Sequence, residues 1–145
     1  MSAAGTRIGA ALACLAVALA LAGCGGSGGR LGRSSLAKQA DQVRSLAAEG
    51  GLLAQDGADG RTTAIFVREH GSYLAGAATT AASSLQRANA KAGLRKQLHT
   101  LRTLSAEVRD QLRRLGGASR AEQRDIARTL VEAAAGAAKL AQGLA

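Results

Sequence analysis

The chain has 145 residues, 19 Lys and Arg against 10 Asp and Glu, and a formal net charge of +9. It has no Pro or Trp, one Phe and one Tyr, which removes the usual aromatic equipment of carbohydrate clefts and single-stranded nucleic-acid platforms. An Ala- and Leu-rich chain without proline favours uninterrupted helix.

The first 24 residues read as an export segment. Arg7 supplies one cation, an apolar run follows over residues 8–22, and the run ends in Leu21-Ala22-Gly23-Cys24. The run is short of the roughly 20 residues a membrane span needs. Charged start, apolar middle and small-residue end are the parts of a secretory signal. The cysteine directly after Leu-Ala-Gly resembles the lipobox of bacterial lipoproteins. That resemblance implies cleavage between Gly23 and Cys24, diacylglycerol on the Cys24 sulfur and an acyl chain on its new amino group. It also implies a lipid anchor at the extracytoplasmic face of the cell membrane. Gly25 after the cysteine resembles the outer-membrane sorting pattern, should the source cell have two membranes.

On this reading the signal peptide is residues 1–23, a lipidated cysteine with a Gly-rich tether is 24–33, and one domain occupies 34–145. Cys14 leaves with the signal and Cys24 is consumed by lipid, so neither disulfide nor thiol chemistry is expected. Gly25-Gly26-Ser27-Gly28-Gly29 and the residues to Arg33 form a flexible tether, with Arg30 and Arg33 placed to rest on anionic headgroups.

Four helices are predicted after the tether. The first spans about residues 35–55, capped by Ser34 or Ser35, with Leu36, Val43, Leu46 and Leu53 on one face. Two Asp-Gly steps over residues 56–60 end it. The second covers about 62–89, with Val67, Leu74, Ala78, Ala81, Leu85 and Ala88 as its stripe, Ile65, Phe66 and Tyr73 beside it, and Gly93 marking the reversal. In the third, Leu94, Leu98, Leu101, Ser105, Val108, Leu112 and Leu115 alternate spacings of four and three, a heptad seam that Gly116-Gly117 closes. Ser119-Arg120-Ala121-Glu122 then fits a capping box before a last helix seamed by Ile126, Leu130, Ala133, Ala137, Leu140 and Leu144. Short connections between such helices predict an all-α, antiparallel up-down four-helix bundle with a thin, Ala-rich core. The alternative is an extended helical hairpin or coiled coil completed by dimerisation.

No catalytic constellation is legible. Gly-x-Ser-x-Gly, His-Glu-x-x-His, P-loop and haem-attachment motifs do not occur. His70 and His99 are the only histidines, and a hairpin turning near Ala92 places them roughly 22 Å apart along the axis. Neither a metal nor a cofactor is therefore expected, His99 is read as exposed, and His70 as a seam histidine with a local hydrogen bond. The same hairpin brings Glu69 level with Leu115, within reach of Arg113 or Arg114.

Positive charge concentrates in the middle of the chain: residues 61–117 hold ten Lys and Arg against three Asp and Glu. Arg95, Arg102 and Arg109 recur every seven residues beside the leucine seam, and Arg68 and Arg61 extend the field on the second helix. These arginines are candidates for an anionic docking face; the competing account is stems that cover the edge of the seam. Nucleic acid is an unsuitable partner for an exported chain, which meets lipid headgroups and phosphate-rich wall polymers instead. The expectation is a non-enzymatic, membrane-anchored binding or scaffold module for an envelope protein or anionic polymer, of undetermined oligomeric state. A small-molecule or metal carrier, with its cavity near His70, is the alternative.

Overall fold

The structure, a computed structural model, describes residues 30–145, so the signal-like segment, Gly23, Cys24 and the tether to residue 29 lie outside the described residues. Four helices follow in order: α1 (Arg33–Ala58), α2 (Ala64–Arg87), α3 (Arg95–Leu115) and α4 (Arg120–Leu144). They run up, down, up and down. Gly50 and Gly51 of α1 meet Leu130 and Val131 of α4, while Gly57 meets Gln123, as antiparallel neighbours must. Gly71 of α2 likewise lies over Leu115 of α3. One chain thus closes the core that the dimeric alternative would have needed two copies to complete.

The seams are buried much as their periodicity predicts. Leu36, Val43, Leu53, Val67, Leu74, Leu85, Leu101, Val108, Leu112, Leu115, Ile126 and Leu130 all lose nearly all contact with solvent. Ser105, the polar position of the third seam, is buried with them. Alanines fill many of the remaining seam positions: Ala40, Ala47 and Ala54 on α1, Ala127, Ala133 and Ala137 on α4. With little side chain between them, α1 and α4 make the most extensive contact in the bundle.

Gly50 sets the cross-section. A Cβ there would stand 2.4 Å from Leu112 Cδ2 and 3.1 Å from Leu130 Cδ1, so leucines from α3 and α4 occupy the space its side chain would take. The diagonal pair α1 and α3 therefore touch, whereas α2 and α4 stay apart.

The helix ends differ from the expected ones where tertiary contacts intervene. Ser34 and Ser35 do not cap α1; Gly32 holds the cap position without a side-chain bond, and both serines are exposed in the first turn. The cause lies in Leu31, whose backbone N–H donates to Asn89 O (2.6 Å) and whose carbonyl accepts from Lys91 N–H (3.0 Å). Its side chain also packs on the core, so Leu31, expected within a flexible tether that ends at Arg33, is part of the bundle.

At the other end α1 runs on to Ala58, and Gly60 makes the turn at φ 70°. Arg61 clamps that turn from outside, 2.9 Å from Asp56 and 3.2 Å from Asp59. Thr63 caps α2 by accepting from Phe66 N–H. Gly93, at φ 82°, makes the reversal into α3. The capping box of α4 is present in full: Ser119 N–H donates to Glu122 Oε2 at 2.7 Å, and Ser119 Oγ accepts from Glu122 N–H. The Ser119 N–H holds the Glu122 carboxyl below the usual glutamate range. Among the described residues, no helix is long and apolar enough to cross a membrane.

Candidate functional site

The four candidate arginines separate into different kinds of contact. Arg102 turns inward along α2: its Nε donates to Leu85 O (2.9 Å) and its Nη2 to Gln86 O (3.2 Å) and Ala88 O (2.6 Å). These are carbonyls at the C-terminal end of α2, which have no further turn of helix to bond to and carry the negative end of its dipole. Arg102 is therefore a cap supplied by the neighbouring helix. Its guanidinium is half-buried and engaged, which corrects the expectation that it stands free in a docking row.

Arg109 lies 2.8 Å from its neighbour Asp110. That bond raises the Arg109 pKa and lowers that of Asp110. Arg68 lies 3.5 Å from Glu69 and packs its stem against Gly116. Glu69 thus pairs with its sequence neighbour, and Arg113 reaches Thr79 Oγ1 instead (3.3 Å). The expected hairpin register is nonetheless close, since Arg68 lies against Gly116 and Gly71 over Leu115.

Of the heptad row only Arg95 remains exposed and outside any ion pair among the described residues. It lines an open groove of about 540 Å³ together with Arg30, Asn89, Ala90, Leu98 and Arg102. The groove lies beside the contact of Leu31 with the α2–α3 loop, at the end of the bundle from which the tether emerges. No sequence pattern pairs Arg30 with Arg95; the fold brings them together across 64 intervening positions.

His70 is not a seam histidine. Its ring is about one-third exposed (32%), and Nε2 lies 2.8 Å from Glu49 Oε1 on α1, so its partner is on another helix rather than local. Phe66 and Tyr73 stack on either side of it, with ring centroids 5.4 and 6.0 Å away. The chain's only Phe and Tyr are 52% and 67% exposed, and Ile65 beside them 65%. Their i, i+4 and i+7 spacing was readable, but their exposure was not: they stand on the flank of the stripe that faces away from α3.

No family of known proteins matches the chain. Curated proteins and solved structures likewise give no match. Function must then be argued from the residues alone.

Among the described residues, no three His, Cys, Asp or Glu side chains are grouped so as to hold a metal ion. Hydroxyls of Ser45, Thr79, Thr80, Thr100, Thr103 and Thr129 bond to the carbonyl one turn back in their own helices. Glu49–His70 is a carboxylate–imidazole pair on the surface, and among the described residues no hydroxyl is bonded to it. His99 is exposed. A second, apolar groove of about 620 Å³ runs between α1 and α4 past Gly51, Leu52, Ala127 and Val131.

Proposed function

We propose that the protein is a lipid-anchored module of the cell envelope, held to the membrane through Cys24, which works by binding an anionic envelope component rather than by catalysis. The observation that carries this reading is the nearness of Cys24 to the bundle. Arg30, next to the Leu31 that the bundle holds by two backbone hydrogen bonds, stands six residues after the cysteine of the lipobox-like segment. Fully extended, that linker reaches only about 20 Å, so acyl chains on Cys24 would keep the bundle against the bilayer. The basic surface of the bundle supports an anionic partner, and Arg95 is the member of the arginine row left open to it. The carrier alternative has less support, because His70 stands at the surface beside Glu49 rather than facing a cavity within the bundle.

Cys24 decides the matter experimentally. In the native host the peptide that begins at Cys24 should carry the mass of a diacylglycerol thioether and, in most molecules, an N-acyl chain. Cys24→Ser should lose that mass and leave the detergent-soluble membrane fraction. A Cys24 thiol found free, in protein that still behaves as wild type, would overturn the anchored reading.

A further inference from the structure

We infer that the tether end of the bundle is a membrane-seating surface, built to lie against anionic phospholipid headgroups with the helices standing away from the bilayer. The inference rests on the anchored reading above and adds to it an orientation and a ligand class.

Its basis is where the fold places charge. At the tether end, Arg30 precedes α1, Arg33 and Lys38 lie in its first turns, and Arg87 and Lys91 come from the end of α2 and the loop after it. Arg95 and Lys96 open α3, and Lys139 lies in the last turns of α4. All eight are exposed, and within the last two turns of each helix at this end there is no Asp or Glu. The opposite end is built otherwise. Its last two turns and loops hold seven arginines interleaved with six carboxylates, among them the pairs Arg61–Asp56, Arg68–Glu69 and Arg109–Asp110. Cations along the sequence are spread over all four helices, so only the up-down topology gathers those without carboxylates near them at one pole.

Distance makes the polarity matter. A helix of 26 residues such as α1 is about 39 Å long, while charges in physiological salt act over about 8 Å. A nearby anionic surface is therefore felt by the tether end and not by the far end. That surface is within reach, because the linker from Cys24 enters this same end and Leu31 fixes its point of entry. Lipidation makes docking an intramolecular event, for which weak contacts suffice. The groove of Arg30 and Arg95 offers guanidinium forks to a phosphate, the geometry arginine suits best.

The test uses the lipidated full chain with a single cysteine introduced for a fluorescent label, either Ala92→Cys in the loop of the basic end or Gly117→Cys at the far end. Both positions are exposed, and nothing lies within 4 Å of a Cβ at Gly117. The protein is placed in vesicles of phosphatidylcholine alone, or with about a third phosphatidylglycerol. On the anionic vesicles the label at Ala92 should be shielded from aqueous iodide and the label at Gly117 should not. On the neutral vesicles neither should be shielded. Lys91→Gln and Lys96→Gln should each lower the docked-to-free ratio about fivefold, and added salt should do the same.

Equal quenching at Ala92 on both vesicles overturns the inference, as does equal shielding at both positions, which means a bundle lying flat. If Cys24 carries no lipid, the anchored reading falls separately. Sedimentation of the unanchored chain with the anionic but not the neutral vesicles then still supports the surface, and its failure to do so overturns it.

Discussion

Arg102 shows how one side chain can tie the end of a helix to its neighbour. Three carbonyls at the end of α2 accept from its guanidinium, and a planar fork can span them where an ammonium cannot. Bonds from a charged donor to half-buried carbonyls contribute about 2 kcal/mol together. Arg102→Met should therefore lower the thermal midpoint by several degrees while leaving helical content at low temperature unchanged, as read by circular dichroism. Arg102→Lys should recover only part of the loss. A midpoint unchanged in both variants would show that the cap contributes nothing. The same contact makes charge reversal at Arg102 unsuitable as a probe of partner binding, since it would disturb the fold it is meant to leave intact.

Glycine in a helix acts differently according to what surrounds it, and α1 and α2 supply a matched pair. Gly76 stands exposed within α2, and nothing lies within 4 Å of the Cβ it lacks. Gly76→Ala should gain close to the full difference in helix propensity, about 1 kcal/mol, and raise the thermal midpoint. Gly50 has the same intrinsic preference, but its missing Cβ is the seat of Leu112 and Leu130. Both leucines are buried and have little freedom to turn aside. Overpacking there costs about 1–3 kcal/mol and outweighs the gain in propensity. Gly50→Ala should thus lower the midpoint that Gly76→Ala raises, in parallel melts of the two variants. A rise in both would mean that α1 and α3 have room to part.

Across the molecule the side-chain charge is polarised, with cations that have no carboxylates among them at the tether end and arginines interleaved with carboxylates at the other. Like charges gathered at one pole repel when the chain is folded and separate when it unfolds. The exposed ion pairs at the far end return little, on the order of 0.2–1 kcal/mol each. Raising ionic strength from low salt to about 0.3 M shortens the range of that repulsion, so the protein in solution should become more stable as salt is added. A fall in the thermal midpoint over that interval would show that the far-end pairs outweigh the repulsion at the basic end.

Much of this architecture could be read along the chain because its causes are local. A heptad seam depends on spacings of three and four, so Leu98, Leu101, Ser105, Val108, Leu112 and Leu115 declare one face of α3 and are buried. A capping box closes within four residues, and Ser119 and Glu122 close it. The second Asp-Gly step, at Gly60, and Gly93 mark reversals through the positive φ that each adopts, whereas the first step, Asp56-Gly57, is still inside α1. Helix number, antiparallel order and the approximate register of α2 on α3 follow from these and from short connections. What tertiary structure decided depends on which helices become neighbours, and no local spacing encodes that. Leu31 ends the tether early because the α2–α3 loop lies beside it. Arg102 leaves its row because the carbonyls of α2 come within its reach, and His70 finds Glu49 because α1 packs alongside. The pole of positive charge exists only once four helices have been laid up and down, since each contributes a few cations that are unremarkable along the sequence and decisive when their ends meet.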